Sequence, residues 1–307
     1  MANYITVDGG TTNTRIHLVK EYEILDVIRL SVGARDGEAA LKSALREGIF
    51  TLLSRNNLNT SCISRILASG MITSEQGLCN LVHISLPAGK RELLASCFEI
   101  TFDDICEIPW CFVRGVKSEG ASLADCDVMR GEETELMGLL SDCAEQTLYV
   151  LPGSHSKHIK VDGEGRITAF QTMMTGELFA AVMEHTILKY STDFSHNQIE
   201  KDALTEGYEY CKAHGINEAL FKTRILRNLR GASAETCYSF LLGVVLGDEI
   251  DAILADEETR VVLGGQKQLR EAMALLLERY SDKKVVCLSD EEVTSSTARG
   301  AIRIFEA

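Results

Sequence analysis

The distribution of apolar and polar residues along the chain predicts strands and amphipathic helices in alternation. Residues 4–7 form a short apolar run, and residues 13–19 alternate as the return strand of a hairpin. Residues 37–53 instead carry apolar side chains at helical spacing, and a last helix is predicted over residues 291–305. This order of elements is typical of an α/β protein.

The remaining elements follow from the same two periodicities. Further strands are predicted over residues 22–31, 63–68, 108–116, 148–151, 169–173, 261–263 and 284–288, with loop and strand over 77–87. Further helices are predicted over residues 90–97, 132–141, 177–188, 204–214, 217–227, 235–254 and 266–280. Gly243 and Gly247 in the long apolar helix indicate close helix packing.

One stretch near the middle of the chain repeats the N-terminus. Placing Gly10 over Gly153 aligns Thr11 with Ser154, and each copy consists of an apolar strand, a glycine-hydroxyl turn and a second strand. We therefore expect two similar lobes with mixed sheets around an interlobe cleft. The expected lobes are residues 1–143, with the first turn, and residues 144–307, with the second turn.

Composition narrows the class of partner. The 307 residues carry a formal net charge of −14, which disfavours nucleic acid, and no apolar run is long enough to span a membrane. None of the 10 cysteines belongs to a C-x-x-C motif, and no signal peptide is visible at the N-terminus. These features predict reduced thiols and a cytoplasmic location, and a homodimer is one possible assembly.

Two turns carry residues suited to phosphate chemistry. In the first turn, Asp8 can hold a hydrated cation, and Thr11 and Thr12 can donate hydrogen bonds to phosphate oxygens. A simple hairpin turn is the alternative, and no P-loop motif is present. The second turn, residues 152–157, adds a lysine to the glycine and serines.

An acidic cluster precedes the predicted helix over 132–141. Asp127, Arg130, Glu132 and Glu133 lie within seven residues. A carboxylate here can accept a hydroxyl proton while the arginine holds an anionic group, but a solvated helix start would show the same residues. The pattern leaves these two interpretations open.

Smaller signals lie at other element ends. Ser69, Gly70 and Met71 end a buried strand, at the sheet edge where α/β folds bind ligands. Glu177 starts a helix after a glycine, and Gly264-Gly265 offers bare backbone to a flat base or ribose. The His155-x-x-His158 spacing allows a metallohydrolase hypothesis, although no third ligand follows at a convincing spacing.

Six motifs in this order resemble the 2-dehydro-3-deoxygalactonokinase family of the actin/hexokinase/Hsp70-like kinase superfamily. They are DGGTTNTR, DVMRGEETELMG, LPGSHSKH, TMMTGELF, the LF-x-x-R of residues 220–224, and FLLGVVLGDE. The resemblance covers residues 7 to about 265. It implies two ribonuclease-H-like lobes, with the sugar-acid side and the first phosphate loop in residues 1–143 and the second phosphate loop and the adenosine turn in residues 144–307. It also implies the use of ATP with Mg²⁺ and transfer of phosphate to the 6-hydroxyl of 2-dehydro-3-deoxy-D-galactonate or a closely related 2-keto-3-deoxy sugar acid.

The resemblance also implies a role for each matching residue. Asp8 would serve the Mg²⁺ ion, and Asp127, Glu132 or Glu133 would supply the catalytic base. Substrate would contact Arg130, Ser69, Gly70, Met71 and Glu177. ATP would contact Gly9, Gly10, Thr11, Thr12, Arg15, Gly153, Ser154, His155, Ser156, Lys157, Gly264 and Gly265.

This sequence departs from the family pattern around the sugar pocket. Gly9 stands where a tryptophan is usual, the loop after Met71 lacks the usual Trp and Ala-Pro-Tyr segment, and His158 replaces a tryptophan. These departures motivate an alternative function, a non-catalytic sugar- or nucleotide-binding regulator on the same fold.

Overall fold

A computed structural model describes residues 2–141, 145–192 and 198–306. The first half of the chain contains β1 (Asn3–Gly9), β2 (Thr14–Lys20), β3 (Glu23–Leu30), α1 (Glu38–Arg55), β4 (Ile63–Gly70), β5 (Ile84–Ser85), α2 (Lys90–Ser96), β6 (Phe98–Phe102), β7 (Cys106–Phe112), β8 (Val116–Ser118), β9 (Asp127–Met129) and α3 (Glu132–Leu139). The second half contains β10 (Thr147–Leu151), β11 (Ser156–Val161), β12 (Ile167–Met173), α4 (Thr175–His185), α5 (Lys201–His214), α6 (Ile216–Arg230), α7 (Ala234–Ala255), β13 (Arg260–Leu263), α8 (Lys267–Tyr280), β14 (Lys284–Cys287) and α9 (Asp290–Phe305).

The chain divides into two compact units. The first contains Met1–Ala144, Val161–Phe170 and Ser289–Ala307, and the second contains Glu145–Lys160 and Gln171–Leu288. The expected boundary between residues 143 and 144 lies outside the described residues. The assignment of residues 1–143 to the sugar acid and 144–307 to the nucleotide stays a prediction.

Mixed sheets confirm the predicted α/β class. The first unit has a sheet of order β3-β2-β1-β4-β7-β6, in which β1 pairs antiparallel with β2 and parallel with β4. A second sheet has the order β12-β11-β10-β13-β14, in which β10 pairs parallel with β13. Each sheet thus places a hairpin-connected strand beside a parallel neighbour, as the repeated strand-turn-strand pattern predicts. A small third sheet has the order β5-β8-β9.

Apolar faces predicted from the sequence pack into these cores. Leu41, Leu45 and Ile49 of α1 are fully buried against Ile5 and Ile16 of the first sheet. In the second unit, α7 is buried along most of its length. Burial of these side chains is the main source of stability in each unit.

Glycines allow two close helix crossings, one in each unit. A Cβ on Gly243 of α7 would lie 2.0 Å from the carbonyl oxygen of Leu204 on α5. A Cβ on Gly138 of α3 would lie 1.8 Å from the carbonyl oxygen of Ser296 on α9. The predicted packing role of Gly243 is confirmed, and α3 is held in place by the last helix of the chain.

One predicted element is wrong. The single strand expected over residues 108–116 is two strands, because β7 ends at Phe112 and β8 begins at Val116. Gly115 lies between them, and a Cβ there would meet the Met129 carbonyl oxygen at 2.5 Å. This tight passage redirects the chain from the large sheet to the small one. Across the described ranges, no helix has both the length and the apolar character needed to cross a membrane.

Candidate active site

The first group of polar residues lies where β1 and β4 end side by side. Their parallel register pairs Asp8 with Ser69 and Gly9 with Gly70. Gly70 has φ +85°, and a Cβ there would lie 2.5 Å from the Gly9 carbonyl oxygen, so this approach requires glycine. The predicted sheet-edge position of Ser69 is therefore observed, and β1 places Asp8 beside it.

Asp8 occupies a mixed electrostatic environment. Burial raises the pKa of its carboxyl group, the cation of Arg15 lowers it, and the negative charge of Glu132 raises it. Arg15 Nη1 lies 3.3 Å from Asp8 Oδ2. The hydroxyl of the neighbouring Ser69 is buried without a hydrogen-bond partner in the described part of the chain. Although Asp8 and Glu132 are far apart in the sequence, the charge of Glu132 is thus felt at the Asp8 carboxyl group.

The turn after β1 is fixed by its own backbone and by the loop after β3. Gly10 N–H donates to the Asn13 carbonyl at 2.8 Å, and the Gly10 carbonyl accepts from Ala34 N–H at 3.1 Å. Asn13 Nδ2 donates to Thr12 Oγ1 at 2.8 Å, while Thr11 is exposed. This turn presents hydroxyl groups on a rigid backbone, as a phosphate-binding turn requires.

Helix α3 starts over the end of β4. Gly131 precedes the helix with φ +114°, and a Cβ there would lie 3.2 Å from Gly70 Cα. The side chain of Glu132 accepts from Arg130 N–H at 3.0 Å and remains partly exposed. The negative charge of Glu132 raises the pKa of the Asp8 carboxyl group.

Glu133 points into the protein instead. Its side chain is fully buried, and its two oxygens accept from Gly131 N–H at 3.0 and 2.8 Å. Burial, with a further contribution from Glu132, raises the pKa of Glu133 to about 8. This placement argues against Glu133 as a substrate-contacting base and makes it a cap on the start of α3.

The structure separates Asp127 from Glu132. Asp127 is the first residue of β9, where it pairs with Ser118, and its Oδ1 accepts from Val128 N–H at 2.7 Å. Because a strand rises about 3.3 Å per residue, Asp127 lies roughly 7 Å along β9 from Met129, and Arg130 and Gly131 still separate that strand from Glu132. The two candidate bases are therefore not neighbours.

Arg130 is engaged by the loop that follows β4. Its Nη1 lies 2.6 Å from both the carbonyl and the hydroxyl oxygen of Thr73, and its Nη2 donates to the Leu81 carbonyl at 2.9 Å. Thr73 Oγ1 in turn donates to the Gly70 carbonyl at 2.9 Å. The guanidinium thus ties the loop containing Met71 to the start of α3, a role that its sequence position does not show.

The second group of predicted residues lies in the second unit, where β10 and β13 end in parallel. Gly264 N–H donates to the Val150 carbonyl at 2.9 Å, and Gln266 N–H donates to the Pro152 carbonyl. Gly265 has φ +66°, and a Cβ there would lie 2.3 Å from the Pro152 carbonyl oxygen. The predicted adenosine turn and the predicted second phosphate loop are therefore in direct contact.

Helix α4 completes this second group. A Cβ on Gly176 would lie 2.2 Å from the Gly153 carbonyl oxygen, and Glu177 N–H donates to the Ser154 carbonyl at 3.0 Å. His155 Nε2 lies 2.5 Å from Glu177 Oε2. The loop residues differ in exposure, because Ser154 and His155 are exposed whereas Ser156 and Lys157 are buried. Three predicted segments thus meet at one edge of the sheet.

The two histidines of this loop have different partners. His155 contacts Glu177 on α4, whereas His158 Nε2 lies 3.0 Å from Glu249 Oε1 on α7. Within the residues that the structure describes, no group of three or more His, Cys, Asp or Glu side chains is arranged to hold a metal ion. The geometry gives the metallohydrolase hypothesis no support.

Comparison with known proteins identifies a family whose match includes both groups of residues. The sequence model of the 2-keto-3-deoxy-galactonokinase family matches residues 8–302. The chain belongs to this family.

Two curated relatives agree with that membership. A protein of Rhizobium meliloti (strain 1021) named as a probable 2-dehydro-3-deoxygalactonokinase is 29% identical over 82% of this chain and 80% of its own length. The 2-dehydro-3-deoxygalactonokinase of Escherichia coli (strain K12) is 28% identical over 81% of this chain and 80% of its own length. The family resemblance read from the six motifs is confirmed.

Solved structures agree with the fold. The crystal structure of a Sinorhizobium meliloti protein proposed to be a 2-dehydro-3-deoxygalactonokinase has a TM-score of 0.76 and 26% identity, covering 99% of this chain and 100% of its own. A 2-hydroxyisocaproyl-CoA dehydratase activator from Clostridium difficile, with bound ADPNP, has a TM-score of 0.54 at 12% identity, covering 99% and 95%. The second likeness shows a shared fold alone. As a member of the galactonokinase family the chain is a kinase.

Sequence reasoning missed two contributors to these groups in the galactonokinase chain. Thr73 links Arg130 to the end of β4, and Glu249 pairs with His158 from a helix 91 residues away. Neither has a local motif. The signal for Glu249 is its position on α7, in the segment FLLGVVLGDEI. At helical spacing it falls on the same face as the buried residues Val245, Leu246 and Ile253, where an acidic side chain is unusual.

Proposed function

We propose that this chain is an ATP- and Mg²⁺-dependent kinase that phosphorylates the 6-hydroxyl of 2-dehydro-3-deoxy-D-galactonate or a closely related 2-keto-3-deoxy sugar acid. Family membership and the names of both curated relatives support the sugar-acid substrate. The observation that carries the proposal is the position of Asp8 at the end of β1 beside the end of β4, where the Gly131-Glu132 start of α3 packs on Gly70. Sugar-acid kinases need an acidic base and an acidic metal ligand near a phosphate turn.

Each unit supplies its own part of the reaction. In the first unit, the turn of Gly9, Gly10, Thr11 and Thr12 contacts phosphate groups, and Arg15 adds positive charge next to Asp8. In the second unit, residues 153–157 contact phosphates, and Gly264-Gly265 contacts adenosine. The observed contacts within each group support this assignment, because they hold the turns rigid before ligand arrives.

Glu132 is our candidate for the general base. Its partly exposed carboxylate accepts the proton of the 6-hydroxyl as that oxygen attacks the γ-phosphate, and ADP leaves. The hydrogen bond from Arg130 N–H holds one oxygen of Glu132, which orients the carboxyl group. Asp127 remains the second candidate, and Glu133 serves as the buried cap.

The residues around Asp8 fit a divalent cation. Two carboxylates, Asp8 and Glu132, repel each other there, and a bound cation would relieve that repulsion. Asp8 would hold the ion, which when bound offsets the negative charge of the phosphates. Ser69, whose buried hydroxyl has no hydrogen-bond partner among the described residues, and Gly70 lie at the same strand ends, on the proposed sugar-acid side.

The experiment that tests the proposal is a coupled assay of ADP release with ATP, Mg²⁺ and a panel of 2-keto-3-deoxy sugar acids. We expect turnover with 2-dehydro-3-deoxy-D-galactonate or a near stereoisomer, and phosphorus NMR should place the new ester on the 6-oxygen. ATP and sugar-acid binding by calorimetry without any ADP release would instead support the non-catalytic regulator. A cytoplasmic location is part of the same proposal, since the substrate and ATP must meet there.

A further inference from the structure

A buried acid-histidine pair lies directly behind the second phosphate loop. His158 follows Lys157 in β11, and its Nε2 is 3.0 Å from Glu249 Oε1 on α7. The side chains of His158 and Glu249 are only 7% and 1% exposed. Among the described residues, Glu133 and Glu249 are the acidic residues that are buried.

Stability does not explain why this pair is present. Its surroundings on α7 are apolar, with Leu246, Ile250 and Ile253 fully buried. The second oxygen of Glu249 is buried without a hydrogen-bond partner among the described residues. Taking charges out of water is costly, and well-packed apolar residues often serve as well or better at such positions. We therefore ask which part of the structure the His158–Glu249 pair orients.

The direction of the strand connects the pair to the loop. Successive side chains of a strand point to opposite faces, so His158 and Lys160 share one face of β11 and Lys157 points from the other. On the shared face, Lys160 Nζ lies 3.1 Å from Asp256 Oδ2, just beyond the end of α7. His158 and Lys160 thus fasten β11 along α7, and the position of Lys157 on the opposite face follows from that attachment.

The two halves of the loop are held differently. Residues 152–154 are held by backbone contacts, because Gln266 N–H donates to the Pro152 carbonyl and Glu177 N–H donates to the Ser154 carbonyl. Ser156 and Lys157 are the first two residues of β11. Ser156 Oγ accepts from Gly153 N–H at 3.4 Å, and the next residue along the strand after Lys157 makes the directional His158–Glu249 hydrogen bond. A directional polar contact fixes one arrangement of a strand more strictly than apolar packing does.

We propose that Glu249 is a positioning residue that acts through His158 to set the second phosphate loop for nucleotide binding. This inference rests on the proposed function of that loop. Neither side chain contacts the nucleotide in this account. Their effect is on the alignment of Ser156 and Lys157, and it should alter nucleotide affinity more than the rate of phosphate transfer.

The test uses one conservative variant, one apolar replacement and one control. Glu249→Gln keeps the size of the side chain, and the double variant His158→Phe/Glu249→Met replaces the pair by apolar residues. Asp251→Asn is the matched control, because Asp251 lies on the same helix but bonds Tyr208 and Lys212. Each protein is assayed for ADP affinity by calorimetry, for KM of ATP, for kcat at saturating ATP and for melting temperature.

We expect the double variant to melt at or above the wild-type temperature. It should nevertheless bind ADP about 10-fold more weakly and show a KM for ATP raised by a similar factor, while kcat changes less than about 3-fold. Glu249→Gln should show a smaller loss of ADP affinity, and Asp251→Asn none. Wild-type ADP affinity in both pair variants would overturn the inference. If the double variant does not fold, Glu249→Gln decides alone. Failure of the unaltered protein to bind ADP would count against the proposed function instead.

Discussion

Both side-chain oxygens of Glu133 accept a hydrogen bond from the backbone N–H of Gly131, at 3.0 and 2.8 Å. The contact turns an acidic residue of a candidate catalytic motif into an internal cap for α3. Glu132, the preceding residue, stays partly exposed, and its negative charge raises the pKa of the Asp8 carboxyl group. The two adjacent glutamates therefore differ in environment: Glu133 is a buried cap, and Glu132 is the partly exposed one that we propose as the base.

The buried position of Glu133 predicts a pH-dependent stability. Its pKa is raised from 4.5 to about 8, so between these values the folded chain holds a proton that the unfolded chain has released. The free energy of unfolding should therefore fall as pH rises across this window, by on the order of a few kcal/mol. Glu133→Gln cannot titrate and should lack this loss. Urea denaturation of both proteins from pH 5 to 9 measures the difference, and parallel stability curves would contradict the assignment.

Arg130 and Thr73 should behave as one unit. If the guanidinium orders the loop after β4, Arg130→Lys and Thr73→Val should each raise KM for the sugar acid about 10-fold, and the double variant should add little more. If Arg130 instead binds the carboxylate of the sugar acid, Arg130→Lys should raise KM for the sugar acid more than Thr73→Val does. The effects of the two substitutions on KM should then add in the double variant. Steady-state kinetics of the two single variants and the double variant separate the two roles.

Gly265 lies in the predicted adenosine turn, and Gly231, at the end of α6, is a matched control for it. Both have positive φ, +66° and +64°, but an added Cβ meets the Pro152 carbonyl oxygen at 2.3 Å only in the first case. Gly231→Ala should cost about 1 kcal/mol of stability through backbone strain and leave nucleotide affinity unchanged. Gly265→Ala should cost more and raise KM for ATP. If the two variants show equal changes in stability and in KM for ATP, Gly265 does not contribute to nucleotide binding.

Local periodicity predicted most of the fold. The hairpin of β1 and β2, helix α1 and the long helix α7 follow from patterns within single segments, and all are observed. The break between β7 and β8 was missed because it depends on Gly115 packing against distant residues. Such tertiary contacts leave no local pattern in the sequence.

The candidate site shows the same division. The glycine-hydroxyl turns and the acidic cluster were visible as motifs, because their residues are close in sequence. The partners of Arg130 lie 57 and 49 residues away, and those of His158 lie 91 away, so the sequence could not assign them. It also could not separate Glu132 from Glu133, since only burial distinguishes two adjacent glutamates.

We propose that Glu132 accepts the proton of the sugar-acid hydroxyl. Measuring kcat for Glu132→Gln and Asp127→Asn at saturating ATP and 2-dehydro-3-deoxy-D-galactonate tests this role. Glu75→Gln, at an exposed loop residue, is the control for the loss of a negative charge. General-base assistance is typically worth about 10²–10⁴-fold, so Glu132→Gln should lower kcat by that factor with KM for ATP nearly unchanged, while Asp127→Asn and Glu75→Gln stay within about 3-fold. A near-normal kcat in Glu132→Gln together with a large fall in Asp127→Asn would contradict the account and move the base to β9.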